Sequence, residues 1–226
     1  MFPSHDPKRC LLGSRQYIIE GYQDADDFTG INFNPSDQLE LYTIVNNVDY
    51  AYRTDDVFRD TSAWYHFVFV FDSTNATASE RFKIYVNGVA ASVVVTDGPM
   101  PQNWNSYINH TVPQNLFRRQ YFSNLYSDLY ASEINLIDGQ ALDASSFGEF
   151  KSGVWIPKDP SGLTYGTNGF RLSFQNDTVS EGFNTVLYNG NGGTQSINGV
   201  GFAPDLVWTK VRNAADIHKL TDSVRS

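Results

Sequence analysis

The sequence predicts an all-β protein in which antiparallel strands form two packed sheets. Hydrophobic residues make up 41% of the 226 residues and aromatic residues 15%, which is enough to build a buried core. The apolar runs are short, and Gly, Asn and Pro residues separate them, as in other all-β proteins. Helical periodicity is scarce along the chain, so we expect little helix.

The first half of the chain carries three predicted strands. Residues 38–45 (QLELYTIV) begin with alternation and end in β-branched residues, and the Asn pair at 46–47 predicts a turn into a strand over 48–53. Residues 64–72 (WYHFVFVFD) are apolar on both faces, so we expect a central strand covered on both sides. One face would carry Trp64, His66, Val68 and Val70, and the other Tyr65, Phe67, Phe69 and Phe71.

The clearest local pattern is the segment 82–95 (FKIYVNGVAASVVV), which predicts a β-hairpin. Two strand-like runs flank Asn87-Gly88, the pair favoured in two-residue type I′ turns because both residues tolerate positive φ. By strand alternation, one face would carry Phe82, Ile84 and Val86, and the other Lys83 and Tyr85.

The next part of the chain is more broken. Residues 96–121 are rich in Pro and Asn and are predicted to be mostly loop, with Trp104 and Tyr107 exposed. Strand character returns over 125–137. Residues 144–150 predict one helical turn, in which Asp143 is the N-cap.

A shift in composition near residue 165 predicts two domains, 10–165 and 166–226. Residues 154–167 (VWIPKDPSGLTYGT) are rich in Pro and Gly and indicate a linker or a strap. Beyond them, strands are predicted at 169–174, 185–188 and 202–210. The second domain is interpreted as an incomplete β unit.

Charge and cysteine content exclude several classes of function. The net charge is −9 and no basic run is longer than Arg118-Arg119, so no nucleic-acid partner is expected. A single cysteine, Cys10, leaves no intrachain disulfide and no zinc site with two thiolates. Neither a signal peptide nor a run of ~20 apolar residues is seen, so no membrane insertion is expected.

Residues 64–88 (WYHFVFVFDSTNATASERFKIYVNG) resemble the laminin-G-like, concanavalin A-like sandwich family. Members commonly show a Trp-x-His strand followed by an Ile-Tyr-Val-Asn-Gly hairpin, and both occur here in that order. The resemblance implies a jelly-roll sandwich of two antiparallel sheets, followed here by the incomplete β unit.

Further segments are similar to large bacteriophage virion proteins of the tail-fibre type: VFRDTSAWYHFV, INLIDGQALDASSFGEF, SGVWIPKD and LTYGTNGFRLSF. In those proteins an aromatic strand precedes Lys8-Arg9, and the last domain is longer, so the chain is interpreted as an interior or shortened piece. The resemblance implies a location in the virion. It also implies host-surface glycan or neighbouring virion proteins as partners, with a homo-oligomer left open.

Four carboxylates near residue 140 raise the question of an acid/base site: Glu133, Asp138, Asp143 and Glu149. The glucanases of this family carry Glu-x-Asp-x-Glu on one strand, because two carboxylates must flank the glycosidic bond. Here the same spacing gives Glu133, Asn135 and Ile137, and Asp138 would point to the other face. We therefore expect a protein that is not an enzyme, with glycoside hydrolase as the less favoured alternative.

The structural interpretation of residues 134–150 is a closing strand, a turn and a short helical segment. Phe147 and Phe150 would then plug the sandwich, and Asp143 would cap the helical turn. His66, between aromatic neighbours, is interpreted as a core residue, since no nucleophile motif accompanies it.

Binding of carbohydrate is the favoured function, with a purely structural virion spacer or decoration domain as the alternative. Aromatic faces beside amide and carboxylate groups suit sugars, which present both C–H patches and hydroxyls, although aromatic residues also fill sandwich cores. Among the candidates, Trp104 lies between two Asn residues and is the best exposed. The candidates for carbohydrate binding are Trp104, Tyr107, Tyr50 and Tyr52.

An acidic cluster, Asp24, Asp26 and Asp27, is a candidate calcium site, because loop carboxylates and carbonyls bind Ca²⁺. The spacing is not that of an EF-hand, and a solvated loop is the alternative. No other cofactor is expected.

Overall fold

A computed structural model of the chain describes residues 7–120, 125–174, 185–198, 200, 203–212 and 218–222. The chain divides into two compact units, Met1–Phe174 and Gln175–Ser226. The described residues form strands and short 3₁₀ helices, which confirms the all-β prediction. The 3₁₀ helices are Ala78–Glu80, Ala144–Ser146 and Pro160–Gly162.

The strands are short in both units, and every pairing among the described residues is antiparallel. They are β1 (Lys8–Arg9), β2 (Gln16–Tyr22), β3 (Phe28–Phe33), β4 (Gln38–Val45), β5 (Val48–Val57), β6 (Phe67–Phe71), β7 (Phe82–Val86), β8 (Val89–Ala90), β9 (Val93–Thr96), β10 (Gln114–Leu116), β11 (Arg118–Arg119), β12 (Leu125–Tyr126), β13 (Leu129–Tyr130), β14 (Ile134–Leu136), β15 (Gly148–Lys151), β16 (Val154–Pro157), β17 (Phe170–Leu172), β18 (Leu206–Thr209) and β19 (Lys219–Asp222).

Two sheets form the body of the first unit. A six-stranded sheet has the order β10-β2-β3-β4-β5-β9, and a three-stranded sheet has the order β6-β7-β8. Four two-stranded ladders, β1-β13, β11-β12, β14-β17 and β15-β16, complete the unit. Because β17 pairs with β14, it belongs with the first unit, although it follows the predicted boundary at 165; that boundary stays a prediction.

Two predicted turns are confirmed by their backbone angles. Asn46 and Asn47, with φ of 48° and 62°, join β4 to β5, and Asn87 and Gly88, with φ of 48° and 79°, join β7 to β8. Positive φ at both central residues is the signature of a type I′ hairpin turn. The run after Gly88 does not stay in one sheet, however. β8 pairs with β7, whereas β9 leaves it and pairs with β5.

The main core lies between the two sheets. Side chains from both sheets meet in one buried cluster, as expected for a sandwich, because each sheet has one apolar face to remove from water. The six-stranded sheet contributes Ile18, Ile19, Ile31, Phe33, Leu39, Leu41 and Tyr52, and the three-stranded sheet contributes Phe67, Phe69, Phe82 and Ile84.

A second buried cluster covers the outer face of the three-stranded sheet. It contains Val68, Val70 and Phe147, with Trp155 and Tyr165 packed against it. The predicted coverage of β6 on both faces is therefore confirmed, and residues 154–167 form the strap rather than a linker. The prediction of a central strand is nevertheless wrong, because β6 pairs only with β7 and lies at the edge of its sheet.

The helical turn after Asp143 is confirmed but is shorter than predicted. Asp143 Oδ1 accepts hydrogen bonds from Ser145 N and Oγ, at 3.0 and 2.6 Å, and β15 begins at Gly148. Phe147 is buried in the second cluster rather than between the sheets. The prediction that Phe150 plugs the sandwich is wrong. Its ring is 54% exposed and packs edge-on against Trp155, because β15 pairs only with β16.

The second unit contains one hairpin ladder within its described residues, β18 paired with β19. The indole N–H of Trp208 donates to His218 Nδ1 at 2.8 Å. The prediction of a strand at 185–188 is wrong, since those residues carry no regular structure. Among the described residues, no helix has the length and apolar character needed to cross a membrane.

Candidate functional site: a groove at the rim of the sandwich

A groove of about 530 Å³ opens among the loops of the first unit. We call it the rim groove. Its volume lies within the ~300–1,000 Å³ typical of small-molecule sites. The lining segments are residues 71–74, 104–106, 108–110 and 139–141.

The first lining segment is a braced turn at the end of β6. Asp72 Oδ1 accepts hydrogen bonds from Thr74 N and Oγ1, at 3.1 and 2.6 Å. The buried guanidinium of Arg81 donates to three backbone carbonyls around this turn, those of Asn75, Ala76 and Met100. Because these carbonyls are held by one rigid fork, the turn presents Asp72 in a fixed position.

Trp104 lies in the second segment and lines the groove, and its role as a binding residue stays a prediction. Its indole makes a T-shaped contact with the ring of Phe71, with ring centroids 5.4 Å apart and the planes at 85°. The loop is tied to the first segment by Asn103 N, which donates to Ser73 O, and by Gln102 Nε2, which donates to Thr74 O. Trp104 is therefore half-buried and held in place, with part of its ring left open to the groove.

Tyr107 lies between the lining residues Ser106 and Ile108 but is not part of the lining. Its hydroxyl donates to Asp27 Oδ1 at 2.7 Å, and its backbone N–H donates to Thr29 Oγ1 at 3.1 Å. Burial and the neighbouring Asp27 carboxylate raise the pKa of Tyr107 to about 12. The hydroxyl therefore stays protonated and donates its hydrogen bond to Asp27. Through these two contacts, Tyr107 positions the 104–110 loop on strand β3.

Asp138 joins the last two lining segments, a role that sequence reasoning missed. Its carboxylate accepts a hydrogen bond from Asn109 Nδ2 at 2.7 Å and another from Asn168 N at 3.2 Å. Gly139 follows with a φ of 78°, and Gln140 Nε2 donates to Thr164 O at 3.0 Å. No local pattern around Asp138 signals this contact, because its partners lie about 30 residues away in the chain.

The groove combines an aromatic edge with neutral hydrogen-bonding groups. Its lining contains three amide side chains, three hydroxyls, one histidine and one carboxylate, and contains neither Lys nor Arg. Such a surface fits a ligand that presents both C–H patches and hydroxyl groups. The groups that provide this chemistry are Trp104, Asn105, Asn109, Gln140, Ser73, Thr74, Ser106, His110 and Asp72.

Two of the predicted carbohydrate-binding residues are not in the groove. Tyr52 is only 1% exposed, stacks edge-on with Phe82, and accepts a hydrogen bond from Met100 N, so its ring is unavailable to a ligand. Tyr50 is packed against the main core. Both side chains lie on the inward face of β5. Because Tyr50 and Tyr52 are two residues apart on one strand, alternation places them on the same face, and this pattern is the sequence signal that assigns both to the core.

The predicted calcium ligands brace a turn instead of converging on a point. Asp24 Oδ1 accepts from Asp26 N at 3.0 Å, and Asp27 Oδ1 accepts from Asn46 N and from the Tyr107 hydroxyl. Within the described ranges, no group of three or more His, Cys, Asp or Glu side chains is placed to hold a metal ion. The three carboxylates are thus not assembled as a metal-ligand set.

The four carboxylates near residue 140 are separated by their partners. Glu133 makes two hydrogen bonds to Arg171, at 2.6 and 3.2 Å, and Glu149 pairs with Lys151 at 2.9 Å. Asp138 accepts hydrogen bonds from Asn109 Nδ2 and Asn168 N, and Asp143 accepts them from Ser145 N and Oγ. Each of the four carboxylates therefore has its own contacts within the fold.

His66 is a core residue in the structure, as interpreted from the sequence. It is 7% exposed and lies beside Trp155, with ring centroids 5.6 Å apart. Burial lowers the pKa of His66 to about 4, so the ring is neutral at neutral pH. The cavity beside it measures about 10 Å³, which holds no more than a water molecule.

Comparison with known families gives two matches along the chain. A family described as the concanavalin A-like lectin/glucanases superfamily matches residues 9–129, and a domain of unknown function (DUF7483) matches residues 178–226. No curated protein and no solved structure matches the chain. Three of the four segments that line the groove fall inside the first match, whereas residues 139–141 lie beyond it.

Proposed function

The chain belongs to the concanavalin A-like lectin/glucanase superfamily, and we propose that it is a non-enzymatic module that binds carbohydrate in the rim groove. The observation that carries the proposal is the placement of Trp104. Its indole makes a T-shaped contact with Phe71 and borders a groove lined by amide and hydroxyl groups. An aromatic face takes up the C–H patch of a sugar ring, while Asn105 and Gln140 are within the lining to meet its hydroxyls.

A non-enzymatic role is supported by the carboxylate content of the groove. Glycoside hydrolysis ordinarily needs a pair of carboxyl groups about 5 to 9.5 Å apart, one of which is a proton donor. Asp72 is the single carboxylate of the lining, and its Oδ1 is occupied by Thr74. We therefore expect the protein to bind oligosaccharides without releasing reducing ends.

We further propose that the module belongs to a bacteriophage virion, in a tail fibre or related appendage that contacts host-surface glycans. This proposal rests on the resemblance of four segments to virion proteins, since the fold by itself does not indicate function. Weak binding at one groove would then be strengthened by the many copies present on one particle.

A second candidate function, assembly with neighbouring virion chains, is favoured by the hairpin of the C-terminal unit. Leu206, Trp208 and Leu220 on this hairpin are each at least 60% exposed. Exposed apolar side chains grouped on one element are typical of protein contact sites. Both functions can reside in one chain, because the groove and the hairpin belong to different units.

The proposal is tested by screening the folded full chain on a printed glycan array, with and without EDTA. Trp104→Ala should abolish binding, whereas Trp64→Ala, which removes an equally large indole that is 50% exposed and outside the groove, should retain it. Because Trp104 also packs on the core, Asn105→Ala serves as a second variant: Asn105 is exposed, and its loss should weaken binding without lowering the melting temperature.

Binding that survives both Trp104→Ala and Asn105→Ala would place the sugar elsewhere and refute the groove proposal. A folded native chain that binds no glycan on the array would favour the assembly function instead. Sensitivity to EDTA would show that a metal ion takes part.

A further inference from the structure

We propose that the rim groove selects by charge: it accepts uncharged sugars and excludes sugars that carry a carboxylate or sulfate, with Asp72 as the residue that determines this exclusion. The inference rests on the proposed carbohydrate function and adds the class of sugar to it.

The lining is the first observation. It contains Asp72 as its charged side chain, and otherwise amide, hydroxyl, imidazole and aromatic groups. A carboxylate or sulfate on a ligand ordinarily binds to Arg or Lys, which supply charge-assisted hydrogen bonds. The groove lining offers neither residue, so an anionic ligand would leave its hydration shell without compensation.

The surroundings add further negative charge. Asp138 adjoins Gly139 and is bonded to Asn109, two of the lining residues, so a second carboxylate borders the groove. Arg81 anchors the 71–74 turn, but it is 8% exposed and directs its guanidinium to backbone carbonyls. The whole chain carries a net charge of −9, which also repels anionic ligands at long range.

Asp72 is placed to act on a ligand directly. Both hydrogen bonds from Thr74 fall on Oδ1, and Oδ2 accepts no hydrogen bond from the described residues. A carboxylate oxygen of this kind accepts hydrogen bonds from sugar hydroxyls, which a neutral ligand supplies. The same oxygen would face an anionic substituent with like charge and no intervening donor.

The test compares ligands that differ only in charge. The full chain is applied to an array that carries neutral oligosaccharides, acidic oligosaccharides, and the methyl esters of the same acidic oligosaccharides. We expect the neutral sugars and the esters to bind roughly tenfold or more tightly than the acids, the size of effect that one unscreened like charge produces at close range. The ratio of ester affinity to acid affinity should decrease at about 500 mM salt, because the screening length is then only a few ångström.

Asp72→Asn is the informative variant, because the Asn side-chain oxygen can still accept both bonds from Thr74 and the turn should be kept. It should reduce the ratio of ester affinity to acid affinity roughly tenfold, and Asp72→Lys should reverse the preference. Asp56→Asn is the matched control. It removes one exposed negative charge at the end of β5 that is away from the 46–47 turn. The ratio of ester affinity to acid affinity should stay unchanged.

Acids that bind as tightly as their esters would overturn the inference while leaving the carbohydrate function intact. The inference is also overturned if Asp56→Asn changes the ratio of ester affinity to acid affinity as much as Asp72→Asn does. The net charge of the chain, and not Asp72, would then be responsible. If no sugar of any class binds, the proposed function fails, and the charge selection falls with it.

Discussion

Trp104 connects the core to the groove within a single side chain. Its indole packs on Phe71 at one edge and borders the groove beside Asn105. The contact with the core fixes the rotamer of the ring, so little side-chain entropy remains to be lost when a ligand binds. A pre-positioned aromatic ring of this kind is the property that a shallow sugar site needs.

Tyr107→Phe tests whether Tyr107 positions the loop that lines the groove. Loss of the hydrogen bond to Asp27 should lower the free energy of unfolding by about 1 kcal/mol, a reduced value because the pair is partly exposed. Glycan affinity should fall severalfold through a looser 104–110 loop, although Tyr107 is not in the lining. Calorimetric titration with an array ligand measures this, and an unchanged affinity would show that the tether has no positioning role.

The buried His66 predicts how the stability of the protein depends on pH. Its pKa is lowered from 6.5 to about 4 in the folded protein, so the unfolded state binds a proton first as the pH falls. Stability attributable to His66 is therefore fully present above about pH 6.5 and is lost on acidification toward pH 4, on the order of 3 kcal/mol. The melting temperature of His66→Phe, relative to that of the native protein, should accordingly rise as the pH drops through this window. A difference that is constant with pH would show that His66 is not buried as a neutral ring.

At the scale of elements, the strap packs against the β7–β8 turn. Gly88 and Gly153 both occupy hairpin turns with almost the same φ, 79° and 81°. A Cβ at Gly88 would lie 2.2 Å from Trp155, whereas a Cβ at Gly153 meets nothing within 4 Å. Gly88→Ala should therefore destabilise the protein by about 2 kcal/mol more than Gly153→Ala, which carries only the ~1 kcal/mol cost of positive φ. Equal effects in denaturant unfolding would show that the strap does not pack on the turn.

Gly21 offers a second test at this scale, since strand β2 contacts the loop that carries the groove. A Cβ at Gly21 would lie 2.0 Å from Tyr107 O, so Gly21→Ala must displace the 104–110 loop or strand β2. We expect glycan affinity to fall at least severalfold, because a shift of ~1 Å in a positioned site is enough to disturb it. Gly162→Ala, in open space outside the groove, is the control. Unaltered binding by Gly21→Ala would mean that the groove does not depend on this close approach.

The elements differ in how well the sequence predicts them. Asn46-Asn47 and Asn87-Gly88 determine their turns locally, so the sequence predicts both turns. The division of residues 89–95 between two sheets depends on β5, which lies about 40 residues earlier in the chain, and no local pattern carries that information. The same applies to the groove. Trp104 was predicted as a binding residue, but Asp72 and Asp138 join it only through tertiary contacts.

At the scale of the whole molecule, the rim groove and the C-terminal hairpin lie in separate units. All segments that line the groove fall within Met1–Phe174, so a chain truncated after Phe174 should keep the glycan affinity of the full chain within about twofold. The measurement is calorimetric titration of both chains with the same array ligand. A folded truncated chain that no longer binds would show that residues 175–226 contribute to the site.

The measurement that tests the central claim most directly is a two-dimensional ¹H–¹⁵N titration of the full chain with the tightest neutral array ligand. We predict that the indole N–H of Trp104 and the side-chain amides of Asn105 and Gln140 shift together along one binding curve, while the indole of Trp64 stays in place. Shifts confined to the C-terminal hairpin around Trp208, or an unmoved Trp104 at ligand saturation, would contradict the assignment of the rim groove as the carbohydrate site.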